Sequence, residues 1–424
     1  MSSTDACGAI VVSDRQQTLR AAIESWLEAP LFRRRLLTVL MLMAWGDGSA
    51  LVDRFIAARA LWADRACAKT YQGFVKALMG QRLGIVRYAA EGLRRCLLTV
   101  AAAYQRRFGF VALAVDGSRF ELARTAAHER VLGIAGKVKS CPQLWVTTLW
   151  HMGLGLPWDW RIGPAASSER DQLHAMLDAT PRDTLIVADA GFTGYQLLRS
   201  ILDRGRDVLL RVGRHVKLLR ELGYGRQIDA QTVYLWPTFA QRDRQPPLVL
   251  RLITVRCRGP RRGRMHLLTS VRDPTRLSDE RASALYRMRW GVELCYRSLK
   301  QTLEGRKLRS HAPANALFEM HGLMLGLTLL GLISVSAIVA AGHDPLRWSV
   351  AAALRAVRDR LRSPRRPIDW PASLSHAVQD PYPRRRKVRQ PWPRKKHADP
   401  PPGSPRLRRA TIPEVALCIS FTTQ

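Results

Sequence analysis

Two short apolar runs, each leading into an aspartate, limit what this chain can fold into more than any other feature. Ala112-Leu113-Ala114-Val115 leads into Asp116-Gly117-Ser118, and Leu185-Ile186-Val187-Ala188 leads into Asp189-Ala190-Gly191. Four apolar residues in succession make a strand buried on both faces. Open α/β sheets place their sites at the carboxyl ends of such strands. Asp116 and Asp189 are therefore candidate site residues, with Gly117 and Gly191 permitting a sharp turn after each. Two carboxylates at neighbouring strand ends repel each other. A divalent cation relieves this, and oxygen donors select Mg²⁺ or Mn²⁺. The competing reading makes each aspartate a helix cap or a turn former.

The charge balance weighs on that choice. Lys and Arg number 68 against 34 Asp and Glu, a formal net charge of +34 over 424 residues. This points to a polyanionic partner, nucleic acid first and an anionic membrane second, and away from a small-metabolite enzyme. In so basic a chain, two acids at strand ends read as functional. At 47% hydrophobic the chain can bury a core, and its length predicts two or three domains. Cys7, Cys67, Cys96, Cys141, Cys257, Cys295 and Cys418 form no Cys-x-x-Cys pair. That argues against a disulfide framework or a zinc ribbon and fits a reducing cytosol. Met1–Arg15 is polar and predicts no secretory leader.

The patterning divides the chain into five segments. Residues 1–107 are helical in period, and Ala68–Gly73 reads as a turn and N-cap between two short helices. Either a DNA-binding helix-turn-helix or an ordinary bundle fits. Over 108–215 strands alternate with helices. One helix is capped by Ser167 or Ser168 and another is closed by Gly205, which predicts an α/β architecture with a mixed sheet. Over 216–272 three strands come in succession without a crossover helix, a β-strand insertion. Residues 273–345 hold a helix starting at Ser278 and an uncharged stretch, Gly322–Ala341. That stretch is long enough to span a membrane, but because it directly follows the helix from Ser278 it is read as a buried helix. Residues 346–424 form a basic C-terminal region, Pro- and Arg-rich and extended or disordered from about Arg360 onward. Arg384, Arg385, Arg386, Lys387, Arg394, Lys395 and Lys396 can neutralise phosphates, with Tyr382 and Trp392 to stack; a solvated tail is the alternative.

On the helix from Ser278, about 100° per residue puts Tyr286, Arg289, Glu293, Arg297, Lys300 and Glu304 on one face. Met288, Val292, Cys295, Leu299 and Leu303 fall opposite, as a core stripe. A solvated face with i,i+4 pairs is the plain reading. The spacing of Tyr286, Arg289, Glu293 and Lys300, however, is the Y-(2)-R-(3)-E-(6)-K signature. With Asp116 and Asp189 upstream and a β insertion between, the chain from Phe108 to Leu308 resembles the bacterial cut-and-paste transposases of insertion-sequence family four.

The resemblance implies an RNase H-like mixed sheet flanked by helices and interrupted by the β-strand insertion. Outside the resemblance, the overall charge makes the N-terminal helical domain the expected binder of DNA ends, and a basic Pro/Arg-rich C-terminal tail follows the core. Asp116, Asp189 and Glu293 become a DDE triad holding two Mg²⁺ (or Mn²⁺) ions, which cleaves DNA at element ends and transfers the strands by in-line phosphoryl transfer. Tyr286, Arg289 and Lys300 would grip the DNA end, with Arg297 on the same face. Trp236 of the insertion is a candidate to stack on a flipped base, or else a hydrophobic strand-end plug. Some relatives carry Arg where Ala190 stands. The implied partners are double-stranded DNA, as terminal inverted repeats and target, and a second copy in a homodimer. The implied place is the bacterial cytosol, with no membrane. Other readings are a transposase-derived, sequence-specific DNA-binding protein without cleavage, which loss of an acid would favour, and a plain metal-dependent nuclease. A membrane-associated basic protein would leave the triad unexplained.

Overall fold

The computed structural model describes residues 31–60, 68–136, 140–225, 229–238, 241–257, 263–362, 370–379 and 403–421. The basic run 384–396, with Tyr382 and Trp392, lies outside them. Among the described residues four helices come first: α1 (Leu31–Trp45), α2 (Leu51–Ala60), α3 (Tyr71–Gln81) and α4 (Gly84–Thr99). Thr70 caps α3, its hydroxyl accepting from the Gly73 amide at 3.1 Å. The alternating region gives β1 (Val111–Glu121), α5 (Ala126–Val131), β2 (Gln143–His151), β3 (Leu156–Pro164), α6 (Glu169–His174), β4 (Thr184–Ala188), α7 (Tyr195–Asp203) and β5 (Asp207–Val212). Ser168 is the cap of α6, and Gly205, at φ +71, closes the turn after α7. Next come β6 (Lys217–Arg220), β7 (Thr232–Leu235), β8 (Leu248–Cys257) and β9 (Gly263–Thr269). Helices α8 (Asp279–Met288), α9 (Trp290–Arg297), α10 (Pro313–Ala340), α11 (Val350–Arg362) and α12 (Trp370–Ser375) lead to β10 (Arg406–Arg409) and α13 (Ile412–Ile419).

The chain divides into two compact units. Met1–Arg106, Asp116–Met176 and Gly291–Gln379 make the first; Arg107–Val115, Leu177–Trp290 and Asp380–Gln424 make the second. They cut across the five consecutive segments expected from the sequence, because the chain changes unit within β1 and again between Trp290 and Gly291.

The second unit is a mixed sheet in the order β10-β6-β7-β8-β9-β5-β4-β1. The two apolar runs pair in parallel, Ala112 with Leu185 and Ala114 with Val187, so both end at the same edge. β4 is buried along its whole length and pairs in parallel with β5 on its other side. β9 then joins β5 antiparallel, so the strands of the insertion extend the same sheet.

The first unit is built around α10, which contains the uncharged stretch. It is long and apolar enough to cross a membrane, yet 78% of its most apolar window is buried inside the protein. Of the two readings of this stretch, the structure shows the core helix. Its glycines let α1 come close: a Cβ on Gly322 would lie 2.9 Å from Leu40, and one on Gly326 would lie 2.9 Å from the Ala44 methyl. Trp45 Nε1 donates to the Gly326 carbonyl across this contact at 2.9 Å.

Residues 403–421, expected as extended or disordered tail, are a correction to the sequence reading. They form β10, which pairs in parallel with β6, and α13, whose Cys418 packs with Leu219, Leu222, Tyr234 and Trp236. Glu414 anchors the segment. Its nearly buried carboxylate pairs with Arg242 and with Arg408, which donates to Oε2 at 2.7 Å, and it accepts the Thr411 amide at 2.8 Å. Arg408, foremost, holds the Glu414 carboxyl well below the usual carboxylate range, against the opposing effect of burial. Three arginines in a four-residue strand hide this element from any hydrophobic pattern.

Both anchors can be tested. Gly326→Ala forces the α1–α10 contact apart and lowers stability in urea unfolding by about 1–3 kcal/mol; a neutral effect would mean that this face is not packed. Because the folded pKa of Glu414 is depressed, its stabilisation is complete above the unfolded carboxyl pKa and is lost as pH falls through the acid range below it. Glu414→Gln should therefore lower the thermal midpoint at neutral pH and remove that component of acid destabilisation.

Candidate active site

In the first unit, β1 does not stop at Asp116 as the sequence reading expects. Pairing continues to its end: the Glu121 amide donates to Arg306 O at 3.0 Å, and the Leu308 amide donates to Glu121 O at 2.8 Å. Asp116 therefore sits within a strand, half-buried. Gly117 makes no turn there; it permits close packing, since a Cβ would fall 2.5 Å from Trp145 Cζ2 and 2.8 Å from Glu169 Oε1.

The backbone at Asp116 is held by a residue that the sequence reading passed over. Tyr296 lies on α9, 5% exposed, with its hydroxyl 2.8 Å from Asp116 O and 2.9 Å from Val146 O. Its ring meets Phe120 edge-on at 6.2 Å. Burial above all pushes the Tyr296 hydroxyl far up, so it stays a donor. A signal existed: position 296 falls on the same stripe as Val292 and Leu299, and a tyrosine in a core stripe needs a partner for its hydroxyl.

Glu293 is half-buried on α9, whose stripe of Val292 and Cys295, continued by Leu299 and Leu303, is buried as expected. The helix from Ser278 is capped as expected, Ser278 Oγ accepting the Arg281 amide at 3.2 Å. It is not one continuous helix. It is interrupted at Arg289, whose amide is shared between Leu285 O and Tyr286 O at 3.3 Å each. After Arg297 the coil widens into a π-helical turn, Ser298–Thr302, with Leu303 N on Ser298 O at 2.9 Å. A fixed 3.6-residue period therefore misplaces the residues beyond Arg297. Lys300 does not face outward into solvent. Its ammonium is 2.7 Å from Ser118 Oγ and 5.0 Å from the Phe120 ring centre. Burial lowers the Lys300 pKa, helped by Arg306 and opposed by Glu121. Arg297 is exposed.

In the second unit, Asp189 caps the short 3₁₀ turn Ala190–Phe192, Oδ1 accepting the Gly191 amide at 2.8 Å. The turn-forming reading thus describes one of its oxygens. Tyr286, expected on the outward face, is 9% exposed. The Arg289 guanidinium carbon lies 5.7 Å from its ring centre. Burial raises the Tyr286 pKa; Arg289 and Arg211 lower it, and Asp189 raises it. Asp189, Arg211, Tyr286 and Arg289 therefore share one electrostatic neighbourhood, and Arg211 had no sequence signal. Trp236 is 7% exposed, donates from Nε1 to Gln245 O at 2.6 Å and carries the Arg242 guanidinium 5.0 Å from its ring centre. It fills the core as a strand-end plug and offers no open stacking face, which corrects its reading as a base-stacking residue.

Among the described residues no three His, Cys, Asp or Glu side chains gather closely enough to hold a metal ion.

Residues 107–329, more than half of the chain, match the model of the Transposase DDE domain family. The chain belongs to that family of DDE transposases. It is similar to transposase InsG for insertion sequence element IS4 of Escherichia coli (strain K12), 27% identical over 271 residues. That similarity covers 59% of this chain and 58% of the relative, so the chain spans less than two thirds of that protein. Among solved structures, the piggyBac transposase synaptic complex with hairpin DNA overlaps 82% of this chain and 76% of that one, with a TM-score of 0.41 and 12% identity.

Tyr296→Phe takes the donor from two carbonyls and should cost about 1–3 kcal/mol in urea unfolding. Were the ring merely packing, the substitution would be neutral.

Proposed function

We propose that this chain is a transposase that cleaves DNA at the ends of its element and joins the freed 3′ ends to a target by cut-and-paste transposition. The observation that carries the reading is the family match over 107–329, which encloses Asp116, Asp189 and all four signature residues, Tyr286, Arg289, Glu293 and Lys300. An RNase H-like core is part of the proposal, supported by the mixed sheet in which the two apolar runs lie in parallel.

Family membership implies a divalent metal. By donor chemistry the residues suit it: carboxylate oxygens are what Mg²⁺ and Mn²⁺ take. Asp116, Asp189 and Glu293 are the residues that would hold two such ions. When bound, they would activate the attacking water or 3′-hydroxyl and stabilise the leaving oxygen.

The remaining roles belong to this chain's own side chains. Tyr296 fixes the Asp116 backbone, so that its carboxylate starts from a defined position. Lys300, partly desolvated and braced by Ser118 Oγ, presents a compact positive charge to a phosphate, where low dielectric strengthens the attraction. Arg289, braced on Tyr286, can offer a planar fork to phosphate oxygens. Duplex DNA, as inverted repeats and target, and a second copy of the chain are the proposed partners, in the bacterial cytosol. The helices α1–α4 and the basic run 384–396 are proposed to add DNA contacts.

The test is excision in cells. The gene's own flanking DNA is placed around a marker and the protein is supplied in trans, intact or as Glu293→Gln. Excision with the intact chain and at least a hundredfold less with Glu293→Gln is expected, both proteins binding the flanking DNA equally. Binding by both with excision by neither would replace this reading with the binding-only one.

A further inference from the structure

The strand added by the carboxyl-terminal segment creates a charge arrangement that folding by itself disfavours. β10 runs beside β6 in the register Lys217 with Arg406, Leu218 with Leu407, Leu219 with Arg408 and Arg220 with Arg409. At both ends of this short ladder a cation faces a cation. Like charges directly opposite on neighbouring strands are destabilising. All four side chains are exposed. Arg408 between them is the contrast, because it pairs with Glu414. Arg409 reaches Glu221 at 3.1 Å, but those side chains are 81% and 59% exposed, where a pair contributes little. Among the described residues no carboxylate pairs with Lys217, Arg220 or Arg406. Exposed Arg214, packed at Gly403, adds a cation at the Lys217 end.

β10 is the last strand of its sheet. Side chains alternate across a strand, so the pair at Lys217 and the pair at Arg220 flank the open edge on opposite faces. They lie about 10 Å apart along the strand. A small anion relieves one pair; an extended polyanion lying along the edge relieves both.

We propose that the β6–β10 edge is a DNA-contacting surface of its own, holding the phosphate backbone of duplex DNA without reading its sequence. The inference rests on the transposase reading only for the identity of the polyanion, and its test requires no cleavage.

The full chain is titrated with a 30-base-pair duplex of arbitrary sequence over a range of KCl concentrations, by fluorescence anisotropy. Each phosphate contact contributes about 0.9 to the slope of log K against log salt. The quadruple variant Lys217→Gln, Arg220→Gln, Arg406→Gln, Arg409→Gln should flatten that slope by about 3 to 4, and its thermal midpoint without DNA should not fall. Should the quadruple variant not fold, the two pairwise variants each flatten the slope by about half as much. Replacing the three arginines with lysine keeps the slope. An unchanged slope in folded variants overturns the proposal, as does a lowered thermal midpoint with an unchanged slope, which would assign these cations to holding the segment in place. The slope reads binding and requires no cleavage. A failed excision test with the slope loss present would therefore sink the catalytic reading and leave this one standing.

Discussion

A strand buried on both faces has nowhere to send its backbone hydrogen bonds except to neighbouring strands. β4 is such a strand, with every residue from Thr184 to Ala188 buried. Its pairing with β1 on one side and β5 on the other is the consequence of that constraint. The parallel register brings both apolar runs to the same edge, and in each run the next residue is an aspartate. The insertion strands, the added strand β10 and the helix α13 all build outward from this pairing.

The first unit meets a different constraint. A helix of 28 residues, uncharged from Gly322 to its end, must be covered. Gly322 and Gly326 let α1 approach until side chain meets backbone, and Trp45 donates its indole proton to a carbonyl of α10. The same unit holds Glu293 and Lys300 on a coil that widens into a π-helical turn. The widening changes which way each residue faces, so Lys300 reaches Ser118 rather than solvent.

Charge is distributed unevenly between these jobs. Some arginines are structural, as Arg242 and Arg408 are in sharing the Glu414 carboxylate. Others stand like against like at an open strand edge. A net charge of +34 is the sum of both kinds, and only the pairing of strands tells them apart.

Much was legible in the sequence because the signals are local. Apolar runs, caps at Ser168 and Ser278, the turn at Gly205 and the strands of the insertion depend on near neighbours in the chain. The signature spacing is a property of the chain and needs no fold to be seen. The features that stayed hidden depend on partners far away. Asp116 lies within a strand that runs on to Glu121, where Arg306 and Leu308 from far along the chain pair with it. Gly117 is needed for the Trp145 ring beside it, not for a turn. Tyr296 holds Asp116 from 180 residues away. Trp236 is a core plug because α13, far along the chain, packs into its cluster. A periodic reading assumes a constant helix and a strand that ends where its apolar run ends. Hydrogen bonds and packing between distant residues override both assumptions, and they decide which side chains of the chain's candidate site face one another.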